Sequence, residues 1–184
     1  YKIFGENKVQ ELVDKYEKLP KDIEWHMIGH MQSNKVKYIA PFVHLIHGVD
    51  SYKLLQVINK EGKKNKRVID CLLQFHIAKE ETKFGLDLIE AQEFLESDEF
   101  KSLQNINIVG VMGMATFTEN EAAIRSEFKE LVYIFNQLKS NYFLNSDFKE
   151  ISMGMSGDYK IAIEEGATMV RIGSLLFGAR NYNK

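Results

Sequence analysis

Two short segments near the end of the chain carry small residues of the kind that grip phosphate. Met153-Gly154-Met155-Ser156-Gly157-Asp158 offers a hydroxyl on Ser156 and, at Gly157, a backbone that a ligand can approach closely. Arg171-Ile172-Gly173-Ser174 repeats the chemistry with a glycine and a hydroxyl, ahead of a helix start expected at about Leu175. Each segment leads into a helix whose free N–H groups and positive dipole end favour an anion. One Ser-Gly pair is a common turn. Two such pairs at adjacent strand ends make an anion cup that needs no lysine. Arg171 lies one residue before its strand ends, so side-chain alternation can turn it into the fold's interior. A buried guanidinium needs an acceptor, either a carboxylate in a structural ion pair or a ligand heteroatom.

Other reactive side chains carry weaker signals. Cys71 is the one cysteine and sits inside an apolar run, as a buried strand residue rather than a nucleophile. His26, His44, His47 and His76 fall in strand-like runs without metal-ligand spacing, so no metal site is expected. His30 follows Ile28-Gly29 at a strand end, where it can line a mouth or be satisfied by loop backbone. Lys8, Lys35 and Lys83 lie near strand ends and read as solvated loop lysines. Glu80-Glu81-Thr82-Lys83-Phe84-Gly85 is a polar loop, either a cover hinged at Gly85 or a plain connection.

The elements that must position these residues alternate between short apolar runs and longer amphipathic ones. Runs at 2–5, 25–29, 44–49, 68–78, 108–114, 151–155 and 168–172 read as strands. Their nearly continuous apolar character fits parallel strands covered on both faces. Residues 121–139 form the clearest helix, with Ile124, Phe128, Leu131, Val132, Phe135 and Leu138 on one face. Thr118 and Glu121 have capping-box spacing before it. Asp158 can cap 159–165, and Gly166 is placed to end that helix. Segments 87–96, 9–18 and 32–38, and one following Asp50, read as further helices. Strand–helix alternation implies a parallel α/β fold. Seven units suit an open sheet, or a (β/α)8 TIM barrel that is one unit short. The barrel reading makes 1–184 a single domain and places the first strand and helix, roughly 30 residues, before Tyr1. The two phosphate-gripping loops then follow strands 7 and 8, where barrels place phosphate sites.

Composition narrows the function classes. The chain has 184 residues, 45% hydrophobic, with a net charge of −2, enough for one sizeable core. Lys63-Lys64-Asn65-Lys66-Arg67 is the one basic cluster and reads as a solvated loop, so no nucleic-acid partner is expected. No apolar stretch approaches a membrane span. A lone thiol fits a reducing, cytoplasmic setting.

Taken together, four segments resemble the YggS/PROSC family of pyridoxal phosphate homeostasis proteins, in order and along essentially the whole chain. They are Phe4-Gly5-Glu6-Asn7-Lys8-Val9-Gln10-Glu11, the run Trp25 to Lys35, Ser152-Met153-Gly154-Met155-Ser156-Gly157-Asp158, and Arg171-Ile172-Gly173-Ser174 through Phe177-Gly178-Ala179-Arg180. The resemblance implies the N-terminal barrel type of alanine racemase and pyridoxal 5′-phosphate as cofactor. It implies that Ser156, Gly157, Gly173 and Ser174 hold the phosphate, with Met155 contributing backbone. Arg171 would face the pyridine nitrogen, Asn7 the ring's edge, and Met112 or Met114 the ring's face. The family's Schiff-base lysine, in a Val-Ser-Lys type motif, has no counterpart here and is expected before Tyr1. The racemase's second base, a tyrosine from another domain, is also without a counterpart. The resemblance therefore implies a monomeric carrier that holds the cofactor and hands it to apo-enzymes. The alternatives are a small racemase-like enzyme and a barrel enzyme acting on a sugar phosphate.

Overall fold

The computed structural model describes residues 1–79, 85–144 and 147–178. Seven parallel strands form one sheet in sequence order. They are β1 (Ile3–Glu6), β2 (Glu24–Met27), β3 (Leu45–Val49), β4 (Ile69–Phe75), β5 (Ile106–Gly113), β6 (Glu150–Met155) and β7 (Met169–Arg171). Between them run α1 (Val9–Lys18), α2 (Val36–Ile39), α3 (Tyr52–Lys64), α4 (Leu88–Glu96), α5 (Asp98–Lys101), α6 (Glu121–Tyr142) and α7 (Tyr159–Glu164), and α8 (Ser174–Phe177) follows β7. Every expected strand is present, with ends shifted by up to three residues. The expected helix at 32–38 is instead a 3-10 turn, Ser33–Lys35, followed by α2.

The sheet curls into a nearly closed barrel, with β1 and β7 at its two ends. One hydrogen bond makes the curvature plain. Nδ1 of His47, on β3, lies 2.9 Å from Oγ of Ser152, on β6. In a flat sheet these strands would stand about 14 Å apart, three spacings of 4.8 Å. Alternation splits the strand residues between two environments. Ile46, Ile69, Cys71 and Leu73 pack outward with Leu54, Leu55, Ile58, Phe128 and Leu131 of the helices. Leu45, Leu72, Val109 and Met112, with Met169, form a separate inner layer made of strand residues alone. His26, His47, Gln74 and Ser152 are buried polar strand residues.

Helix ends differ from expectation in which residue caps. Asn120, not the Thr118/Glu121 pair, caps α6 by accepting from Ala123 N–H at 3.2 Å, while Thr118 Oγ1 accepts from Asn120 N–H. Ser51 caps α3, its Oγ accepting from Leu54 N–H. At α4, Asp87 and Glu90 form a full capping box. Gly166 follows α7 with φ +99°, the left-handed geometry expected of a terminating glycine.

Glu127 fastens the fold near the strand ends. Its carboxylate lies buried on the apolar face of α6 and accepts from Lys79 N–H (3.1 Å), Thr116 N–H (2.7 Å) and Thr116 Oγ1–H (2.8 Å). It thereby joins the segments that follow β4 and β5.

Candidate functional site

The loops after β6 and β7 meet. Gly154 ends the straight course of β6 with φ +91°, and a Cβ there would stand 2.5 Å from Cβ of Ala162 on α7. Only glycine lets the strand press so closely on the helix. The chain then turns tightly, Met155 N–H donating to Asp158 Oδ1 at 2.6 Å and Asp158 N–H to Met155 O at 3.1 Å. Asp158 stands at the start of α7, yet its carboxylate holds this turn rather than capping the helix as expected. Ser156 is thereby presented to the second loop. Its Oγ accepts from Gly173 N–H at 3.3 Å and Leu175 N–H at 3.4 Å. A Cβ added at Gly157 or Gly173 would meet nothing within 4 Å, so open space adjoins both backbones. Ser156, Gly157, Gly173 and Ser174 are thus gathered at one place. Met155 stands beside them, its side chain partly exposed.

Arg171 points inward from β7. Nη1–H donates to Ser152 Oγ at 2.7 Å and Nη2–H to Gly113 O at 3.1 Å. Among the described residues no carboxylate lies within ion-pair distance of it. Burial pulls its pKa down to about 10, partly offset by the charge of Asp158, which leaves it cationic at neutral pH.

Behind Arg171 runs a polar chain. His47 Nδ1 meets Ser152 Oγ, and His47 Nε2 lies 3.0 Å from His26 Nδ1. Burial, then the neighbouring His44, lowers His26 to about 4. Burial, then His26 and Arg171, holds His47 well below the usual imidazole range. Both rings are neutral at pH 7. The unfolded chain takes up a proton on His26 near pH 6.5, whereas the folded protein resists until about 4. Stability therefore falls as pH drops across that window, by about 3 kcal/mol from His26 alone. Urea midpoints measured from pH 7 to pH 4 should show the decline, and a His26→Gln variant should flatten it. An unchanged slope in the variant would refute the assignment.

The remaining candidates sit apart. Asn7 follows β1, its backbone pressed against the segment after β2: a Cβ on Gly29 would come within 2.2 Å of Asn7 O, so even alanine at 29 would displace it. Met112 belongs to the inner apolar layer and is 1% exposed, whereas Met114 lies beyond the strand at 40%. His30 is largely exposed, with Nδ1 3.3 Å from Asp50 Oδ2. It borders a cleft of about 550 Å³ lined also by Gln32, Asn34, Asp50 and Ser51. That cleft includes none of Ser156, Gly157, Gly173 and Ser174. Lys8 pairs with Glu11 at 3.3 Å. Lys83, with residues 80–84, lies outside the described residues. Gly85 (φ +123°) is wedged against the end of β4, where a Cβ would stand 2.6 Å from His76 N. Cys71 is fully buried, and burial pushes its thiol far up, which removes it as a nucleophile at neutral pH. Among the described residues no three metal-ligating side chains cluster, and no helix is long and apolar enough to cross a membrane.

Sequence reasoning missed the chain His26–His47–Ser152 and the carboxylate of Glu127. The available signal was polarity out of place: two imidazoles within strands, and a glutamate inside the apolar stripe of α6.

Comparison with known proteins agrees with this fold. The profile of the family described as alanine racemase, N-terminal domain, matches residues 1–181. A pyridoxal phosphate homeostasis protein of Aquifex aeolicus is 43% identical over 182 residues, covering 98% of this chain and 78% of that protein. The structure of PipY from Synechococcus elongatus without PLP superposes with a TM-score of 0.87 at 32% identity, covering 95% of this chain and 81% of that one. PipY with PLP bound gives 0.84 at the same identity and coverage.

Proposed function

Because this chain belongs to the pyridoxal phosphate homeostasis protein family, built on the alanine racemase N-terminal barrel, we propose that it binds pyridoxal 5′-phosphate where β6 and β7 end. One observation carries the reading. Two backbone N–H groups, of Gly173 and Leu175, converge on the single oxygen of Ser156 beside open space at Gly157 and Gly173. Donors that converge on one oxygen suit a phosphate oxygen equally well. In this reading the Ser156 and Ser174 hydroxyls and the N–H groups of Gly157 and Gly173 hold the phosphate, helped by the Met155 backbone. Arg171 has five N–H donors, of which the bonds to Ser152 and Gly113 engage two. The others can face the ring nitrogen, and the uncompensated cation disfavours its protonation. Asn7 orients the ring's edge, Met112 supports the ring from the inner layer, and His30 lines the mouth.

Pyridoxal phosphate, when bound, supplies an aldehyde that condenses with amines and a ring that draws electron density. The side chains support keeping it rather than turning it over. His26 and His47 are neutral but engaged with each other and with Ser152, and the Cys71 thiol is buried. In this proposal the protein is a monomeric cytoplasmic carrier that passes its cofactor to apo-enzymes. Equilibrium dialysis tests the reading. Pyridoxal without its phosphate should bind about 100-fold more weakly than pyridoxal 5′-phosphate. Ser156→Ala should weaken the latter about tenfold, the order of one hydrogen bond to a charged group. Equal binding of the two compounds would overturn it, and steady racemisation of alanine would overturn the carrier role.

A further inference from the structure

The hydrogen bonds behind Arg171 can run in only one direction if their protons are counted. A guanidinium donates and never accepts. Arg171 Nη1–H therefore gives a proton to Ser152 Oγ at 2.7 Å. The hydroxyl's own proton needs an acceptor, and its other partner is His47 Nδ1 at 2.9 Å. If His47 carried its proton on Nδ1, Ser152 Oγ would face two donors and its own proton would have nowhere to go. His47 Nδ1 is therefore bare, and its proton sits on Nε2, donated to His26 Nδ1 at 3.0 Å. His26 then carries its proton on Nε2, a buried atom without a partner among the described residues. The opposite direction leaves two groups unmet, the Ser152 hydroxyl and His26 Nε2, instead of one.

We propose that His47 and Ser152 are positioning residues for Arg171, joined with His26 in a one-way chain in which both imidazoles carry their proton on Nε2. The proposal rests on the reading of Arg171 as the group that faces the ring nitrogen. Its consequence is electrostatic. A carboxylate in the place of Ser152 would hold the guanidinium as firmly but would cancel its charge at the ring. A hydroxyl backed by two neutral imidazoles holds it with the charge intact. The other groups nearby are the ring of His44, stacked 5.6 Å from His26, and Glu24, 3.7 Å from His44 at the far end of the chain. Asp158 acts on Arg171 from the side of the phosphate loop.

Two measurements on the protein test this. Two-bond proton–nitrogen correlation of the nitrogen-15-labelled imidazoles, assigned with single substitutions, should show His26 and His47 as neutral Nε2–H tautomers at pH 7. An Nδ1–H tautomer or an imidazolium at His47 would overturn the one-way chain. The ratio of affinities for pyridoxal 5′-phosphate and inorganic phosphate is the second readout. It should fall about tenfold in Ser152→Ala and return in Ser152→Thr, which restores the hydroxyl. A general loss of structure lowers both affinities together and leaves the ratio alone, so an unmoved ratio would refute the positioning role. If the unaltered protein bound neither compound, the cofactor reading would fall, while the tautomers would still decide the chain.

Discussion

Gly173→Asp should still fold and lose about 100-fold in affinity for pyridoxal 5′-phosphate. The two effects separate because the position has space: Gly173 precedes α8, and a Cβ there meets nothing within 4 Å. A carboxylate there stands against the phosphate, and two charges about 5 Å apart at an effective dielectric of 20 repel by ~3 kcal/mol. That repulsion corresponds to the hundredfold loss. Thermal melts and dialysis on the same preparation check both halves. Undiminished binding in a well-folded variant would place the phosphate elsewhere.

Glu127→Ala should lower the free energy of unfolding by about 3–5 kcal/mol, since it strands three donors around a carboxylate that is 3% exposed. Glu127→Gln keeps the size but turns one acceptor into a donor facing an N–H, so an intermediate loss is expected. Urea denaturation reads both. A loss below about 1 kcal/mol for the alanine variant would mean that Lys79 and Thr116 find other partners. The segments after β4 and β5 both lie at the strand ends, so the alanine variant should also bind cofactor less well than its residual stability alone accounts for.

The parts of the fold legible in the sequence were those set by short-range patterns. Continuous apolar runs located all seven strands, and the stripe through Ile124, Phe128, Leu131 and Leu138 located α6. The meeting of Ser156 with Gly173 followed from topology, since adjacent parallel strands end side by side. Caps were less legible. Asn120, Thr118 and Glu121 all suit a helix start, and only backbone geometry decides which side chain reaches Ala123 N–H. The buried chain was illegible for a different reason. His26 and His47 stand 21 residues apart, and His47 and Ser152 stand 105 apart. Only the curl of the sheet brings β3 to β6, and no local pattern encodes that distance. Arg171 shows the same limit: the need for an acceptor was plain, but a hydroxyl and a carbonyl, not a carboxylate, meet it.

The most direct test of phosphate-led binding follows the backbone N–H resonances of Gly157, Gly173, Ser174 and Leu175 as ligands are added. Pyridoxal 5′-phosphate and inorganic phosphate should both move these four, and pyridoxal should leave them nearly still. Shifts confined to the cleft around His30, Asn34 and Asp50, with the four amides unmoved, would contradict it.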